Sequence, residues 1–483
     1  MRSLSVAWLL LTVSSVSSAH AQSASFDIVI RGGRVIDPES HLDAVRDVGI
    51  RAGKVAAISA RTLQGRTVID ARGLVVTPGF IDLHAHGQDD ENYRLFAMDG
   101  VTTALELEAG TADVPAFYAA REGKALINFG AAASHIKARM AVLRDGGVAA
   151  GTLLPLDSAG YVVATTEQIA AIRRFIDAGL DAGGLGVGMG LQYTPAATKY
   201  EVLEAFRSAA RRHAPVFVHT RSWGETDPGS SVESYMEVIA ASAISGAPVH
   251  IVHLNSTSLT ATPRTLAMIA EARSRGVDVT TEAYPYVAGM TELASPLLDR
   301  YAAGPDSLFG TLMLARTGER LTRATFIANR KPGEMVILFV NTPAMEAMAI
   351  TDSLTAIASD GGLRHGVGHP RTAGTFARVL GHYVRETRQL SLVHAVAKMT
   401  LMPAQRLERL APVFRMKGRL QVGADADISV FDATLVSDRS TYQQPALPSV
   451  GFRYVLVNGV TVVSNGVIVD GVFPGRGARA PVH

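Results

Sequence analysis

Cysteine is absent from all 483 residues. That excludes disulfides and any thiolate metal site, so a metal bound here must rest on nitrogen and oxygen donors. A basic stripe is also lacking. The 46 Lys and Arg against 44 Asp and Glu leave a net charge of +2, which argues against a nucleic-acid partner. The pairs Arg173-Arg174 and Arg211-Arg212 fall in helical patterns and read as solvated faces. No segment offers the roughly twenty uninterrupted apolar residues that a membrane span requires. The apolar run at the start, Val6 to Val13, is too short for one. It follows Arg2 and precedes the small-x-small site Ala19-His20-Ala21, which together read as a signal peptide over 1–21. Export to the periplasm or medium is the expectation, with Gln22 as the first mature residue.

Short β-rich runs broken by turns occupy 22–77, for example Asp27–Ile30 and Arg34–Asp37 around Gly32-Gly33. The same texture returns over 412–483, where Asn458-Gly459 and Asn465-Gly466 split apolar runs as hairpin turns do. Two such pieces at opposite ends of a chain are expected to pair into one small β-sandwich. Between them, 78–411 alternates short apolar strands with amphipathic helices. Strands are predicted near Gly79–His84, Val101–Glu108, Ala125–Ala131, Leu185–Met189, Pro215–His219, Val249–Leu254, Asp278–Ala283 and Ala356–Ser359. Eight βα repeats fit an α/β fold of the (β/α)8 TIM-barrel type. An open doubly wound sheet is the alternative, but polar residues at the ends of many strands favour a closed barrel. The stretch of about 286–350 is longer than an ordinary βα connection and is expected to cover the C-terminal face.

The chemistry concentrates at strand ends. In Pro78-Gly79-Phe80-Ile81-Asp82-Leu83-His84-Ala85-His86, two histidines spaced i, i+2 project to one side and can grip one cation. An isolated H-x-H is as often a pair of ordinary polar residues. His219 ends a second apolar strand and His253 a third, while His250 reads as packed or supporting. Four histidines converging from three strands suit zinc or a similar divalent ion. Glu106 and Glu108 share a face of a buried strand, where a carboxylate needs a cation or an arginine. Glu108, nearer the C-terminal end, is the better ligand or bridge, and a structural ion pair is the alternative. Asp360 follows the eighth strand, where it can serve as general base.

These residues resemble the amidohydrolase superfamily, through Gly79 to His86, the split β-sandwich and Ala424-Asp425-Ala426-Asp427-Ile428. More narrowly they resemble its D-aminoacylase branch, the N-acyl-D-amino-acid deacylases. Gly100–Thr103, Gly190–Pro195, Ala283–Gly289, Ser359–Gly361 and His369–Gly381 carry that likeness. It implies His84, His86, His219 and His253 as metal ligands and Asp360 as catalytic base, with no carboxylated lysine. The branch's metal-binding cysteine has no counterpart, so a carboxylate near Glu108 is expected to replace it. A lysine usual after the sixth-strand histidine is replaced by Asn255.

The expected reaction is metal-assisted hydrolysis of a linear amide, using one or two zinc ions or another divalent metal. An N-acylated amino acid or a dipeptide would be the substrate, and homo-oligomerisation is left open. His135 and Tyr193 are candidate oxyanion donors. Arg139, Arg221 or Arg371 could grip a substrate carboxylate, and Tyr286 is a further substrate-side candidate. A dipeptidase or cyclic-amide hydrolase is the nearest alternative, and a barrel that only binds is the alternative from another class.

Overall fold

The computed structural model describes residues 26–483. The leader read over 1–21 lies outside the described residues. Eight parallel strands stand in chain order: Phe80–Asp82, Val101–Thr111, Asn128–Ser134, Val187–Gly190, Val216–His219, Val249–Ile251, Val279–Ala283 and Thr355–Ile357. Most are short, and all are almost wholly buried, as strands covered on both faces must be. The first and last strands meet just past their ends. His86 N donates to Gly361 O at 2.7 Å, and Ser359 donates its N and Oγ to the Asp82 carboxylate at 3.0 and 2.5 Å. A closed barrel results, not an open sheet.

Helices follow the strands where the 3.6-residue period places them. Thr166–Asp181 starts on a capping box between Thr165 and Gln168 and buries Ile169, Ile172, Ile176 and Leu180 along one stripe. Lys199–Ala210 is capped by Thr198, and Ser231–Ser245 by Ser230. The latter stops at Gly246, whose φ of 77° suits a residue without Cβ.

The excursion after the seventh strand is folded, not loose. Strands Ala288–Glu292, Leu312–Leu314 and Met335–Phe339 make an antiparallel sheet. Its apolar underside, with Leu293, Leu297, Leu298 and Phe309, packs on Ile136 and Met140 of helix His135–Val142. Helix Pro343–Thr351 then returns the chain to the barrel core through Ala349 and Ile350.

The terminal segments form one hydrogen-bonded sheet of nine strands. Ile428–Phe431 pairs antiparallel with Val75–Pro78 and joins the two chain ends. The long strand Phe26–Asp37 shifts register between Ile30 and Gly33. Its first half pairs with Gly65–Asp70 and its second with Val75–Pro78. The sheet branches there, wrapping a core of Ile30, Val35, Val48, Ile50, Val76, Ile428, Val430 and Leu456. The last residues run along the starts of the third and fourth barrel strands, where Ala478 N donates to Phe129 O and Ala480 N to Gly183 O.

Candidate active site

The donors converge where the strands end. His84 Nδ1 donates to Glu282 Oε1 at 2.7 Å, so its Nε2 carries the lone pair. His86 Nδ1 likewise donates to Glu106 Oε2 at 2.9 Å. The two free Nε2 atoms lie 3.2 Å apart. Both face Glu108 Oε2, at 3.1 and 3.2 Å, and Asp360 Oδ1, at 3.3 and 3.2 Å. The other oxygen of Glu108 meets His219 Nδ1 at 2.8 Å and His253 Nε2 at 3.3 Å. Glu108 thus belongs to two donor groups at once, His84–His86–Glu108–Asp360 and Glu108–His219–His253.

This donor set fits metal. Lone pairs on buried nitrogens facing carboxylate oxygens repel unless a positive charge lies between them. Oxygen and imidazole donors without sulfur suit zinc or a similar divalent ion. Each His84 and His86 ring is turned by a carboxylate behind it, as metal-ligating histidines usually are. Without a metal, burial would depress the His84 imidazole, but Asp360 and Glu108 push it up to about 10. Protons and metal therefore compete for the same lone pairs. His253 Nδ1 is buried without a partner.

Local backbone explains how the side chains arrive. The second strand loses register with the third between Glu106 and Thr111, a bulge that re-aims the segment carrying Glu108. A Cβ on Gly188 would sit 2.4 Å from the Glu108 carbonyl oxygen, so only glycine lets the fourth strand pass there. His253 and Asp360 hold φ of 33° and 50°. Such left-handed backbone at non-glycine residues is uncommon and clusters at functional sites.

Asp360 Oδ2 is held by Arg371 at 2.9 Å, and that guanidinium lies 4.6 Å from the Tyr284 ring centre. Burial would raise the Asp360 carboxyl, but Arg371 and the imidazoles hold it below the ordinary range. It is ionised at neutral pH.

A cavity of about 240 Å³ opens above the donors. His86, Glu108, His219, His253, Asp360, Arg371 and Tyr193 line its floor; Leu153, Leu154, Trp223, Leu297, Met335 and Leu338 line its walls. Tyr193 lies against His219, ring centres 4.8 Å apart, and its hydroxyl meets Thr291 Oγ1 at 3.4 Å.

Several candidates stand elsewhere. His135 Nε2 and Arg139 both pair with Glu201, at 2.8 and 2.5 Å, fully buried and away from the cavity lining. Arg221 closes two bonds onto Glu237, at 2.7 and 2.9 Å, and also lies outside the lining. Tyr286 is buried against His369 and does not reach the cavity. Glu106 stands behind His86, oriented toward Nδ1 and not toward the shared donor cluster. Asn255, where the lysine would be, pins the backbone of the seventh strand's exit, donating to Tyr284 O and accepting from Tyr284 N.

Sequence reasoning missed Glu282, which joins His84 to His250 with its two oxygens at 2.7 and 3.0 Å. The signal existed, since Glu282 is a carboxylate inside a buried strand just as Glu106 and Glu108 are. Gln192 was also missed; its Oε1 accepts from His219 Nε2 at 2.8 Å and so turns Nδ1 toward Glu108.

The comparisons agree with this arrangement. The amidohydrolase family profile matches residues 67–276 and 269–463. The N-acyl-D-glutamate deacylase of Alcaligenes xylosoxydans xylosoxydans is 32% identical, over 90% of this chain and 93% of the relative. The D-aminoacylase of the same organism is 29% identical, over 92% and 96%. Among solved structures, N-acyl-D-glutamate deacylase from Bordetella bronchiseptica, bound to zinc and a phosphonate mimic of the tetrahedral intermediate, superposes with a TM-score of 0.80. It has 28% identity and covers 94% of this chain and 100% of that one. A D-aminoacylase described as having a binuclear metal centre gives 0.79 at 27% identity, covering 94% and 100%. Barrel, split β domain and strand-end donors together place this chain in the amidohydrolase family.

Proposed function

We propose that the protein is a zinc-dependent deacylase of N-acyl-D-amino acids. The observation that carries this reading is Glu108 shared between two donor groups, with Asp360 held by Arg371 beside them on the floor of one cavity. Zinc is supported by the sulfur-free donor set and by the zinc in the Bordetella relative. When bound, the metal supplies a Lewis acid for the amide carbonyl and lowers the pKa of the attacking water.

The chain's own groups do the rest. Glu282, Glu106 and Gln192 fix which nitrogen of His84, His86 and His219 faces the donor cluster. Arg371 occupies Asp360 Oδ2, leaving Oδ1 toward the His84–His86 pair. Asp360, ionised at neutral pH, takes the proton of the attacking water and delivers it to the departing nitrogen. The Tyr193 hydroxyl is a donor on the cavity floor for charge developing on the carbonyl oxygen. Apolar walls exclude water around the scissile bond.

The test is a hydrolysis screen of N-acetyl-D- and L-amino acids with zinc stoichiometry measured on the same preparation. D-selective turnover with bound metal is the expected result. Turnover of dihydropyrimidines or hydantoins alone would replace the reading with a cyclic-amide hydrolase. Export is part of the proposal, and N-terminal sequencing of periplasmic protein should begin at Gln22.

A further inference from the structure

Of the charged groups in the cavity lining that the mechanism leaves idle, Asp89, Glu292 and Arg364, one is buried with an unpartnered oxygen. Glu292 ends the excursion's first strand, is 5% exposed and lines the same cavity as Asp360 and His219. Its Oε2 is buried without a hydrogen-bond partner, and no cation lies within ion-pair distance of it among the described residues. Its neighbour Thr291 touches the Tyr193 hydroxyl, and Tyr193 packs on His219. Glu292 thus shares one cavity with the donor cluster. The lining also holds Leu153, Leu154, Leu297, Met290 and Met335, with Arg364 as its one idle cation.

A buried carboxylate oxygen with no partner is costly, and the cost is offset when a ligand supplies the partner. Lys- and Arg-like groups bury an aliphatic stem on apolar surface and carry the charge at its tip. Leucine and methionine side chains in the same lining as a buried carboxylate oxygen without a partner match that shape. Resting on the deacylase reading, we propose that Glu292 selects substrates bearing a cation, an ammonium or guanidinium on an aliphatic stem. An acidic side chain in that position would meet Glu292 as a like charge. Burial raises the Glu292 carboxyl above its ordinary range, against the Leu153 backbone N–H, Arg364 and Lys137, which favour the ionised form; a bound cation would add to their side.

The cation could sit on the amino-acid side or on the acyl side, and the substrates can separate these. The first arm compares N-acetyl-D-lysine and N-acetyl-D-arginine with N-acetyl-D-leucine and N-acetyl-D-glutamate. The second compares glycyl-D-leucine with N-acetyl-D-leucine. Wild type should favour the cationic member of one arm, with glutamate poorest. In Glu292→Gln, the ratio of kcat/KM for the cationic over the neutral substrate should fall about tenfold to a hundredfold, the worth of a charged hydrogen bond. Glu292→Arg should invert the preference toward N-acetyl-D-glutamate. Thermal melts of both variants check that the fold persists. Ratios unchanged in both variants, or a wild type that prefers glutamate, would overturn the assignment while leaving deacylation intact. No turnover of any N-acyl amino acid would remove the deacylase reading and this inference with it.

Discussion

Beneath helix His135–Val142, Glu201 pairs with Arg139 and His135, so one carboxylate meets one guanidinium and one imidazole. At the barrel mouth the permanent charges do not balance in this way. Four carboxylates (Glu106, Glu108, Glu282 and Asp360) surround His84, His86, His219 and His253, and among the described residues Arg371 is the one arginine paired with them. Both clusters are buried and both are built from the same residue types. The first closes its charges on itself and needs nothing further. The second leaves carboxylate oxygens and imidazole lone pairs facing one another, and calls for cations. Surplus negative charge, not the mere presence of buried histidine and glutamate, separates a site from a structural ion pair.

Asp360→Asn is the sharpest way to break the contrast. Asparagine preserves shape but is a poor base, and loss of a general base costs about 10²–10⁴ in kcat. We expect the bound metal to persist, because His84, His86, Glu108, His219 and His253 remain. Wild-type kcat would remove Asp360 from the chemistry, and loss of zinc would make it a ligand first.

Glu201→Gln probes the opposite cluster. Removing a partner of a buried ion pair strands the remaining charge and destabilises by about 3–5 kcal/mol. Arg139 is fully buried, so its guanidinium cannot turn to water. Denaturant unfolding should report that loss, while zinc stoichiometry stays at the wild-type value. A fall in zinc would mean that the two clusters act as one.

Glu282→Gln returns to the mouth with a smaller expected effect. The carboxylate behind His84 fixes the ring without joining the donor cluster, and loss of such a partner weakens metal binding by about 10–100-fold. Competition with a chelator on wild type and variant measures it. Equal affinities would assign Glu282 to holding His250 alone.

The split between the clusters was only partly legible from the chain. Strand-end histidines stood out because apolar runs such as Val216-Phe217-Val218 stop at them, and all eight barrel strands overlap the positions that pattern marks. Glu108 and Asp360 were visible for the same reason. Arg139, Arg221 and Arg371 were not separable, because each follows a polar strand end and the deciding partner lies elsewhere. Glu201 is 62 residues from Arg139, and Glu237 is 16 from Arg221 on a neighbouring helix. The branch of the terminal sheet at Gly32-Gly33 was also hidden, since period-two alternation does not say which neighbour each half of a strand will take.

Arg221→Ala is the mildest test, and it checks the boundary drawn around the site. The residue follows His219 by two positions, so proximity in sequence makes it a natural clamp for a substrate carboxylate. In the fold its guanidinium turns away, with Nε and Nη2 on the two oxygens of Glu237 and Nη1 on Pro195 O. A clamp needs a free fork, and this one is filled. A partly exposed pair of this kind contributes about 1 kcal/mol or less, so the melting temperature should drop only slightly. KM for an N-acetyl-D-amino acid should stay within about twofold, because a change below 0.4 kcal/mol is less than a factor of two. Arg371→Ala supplies the contrast, since that fork lines the cavity and holds Asp360. If Arg221→Ala instead raised KM tenfold at unchanged kcat, the clamp would be Arg221 after all, released from Glu237 when substrate enters.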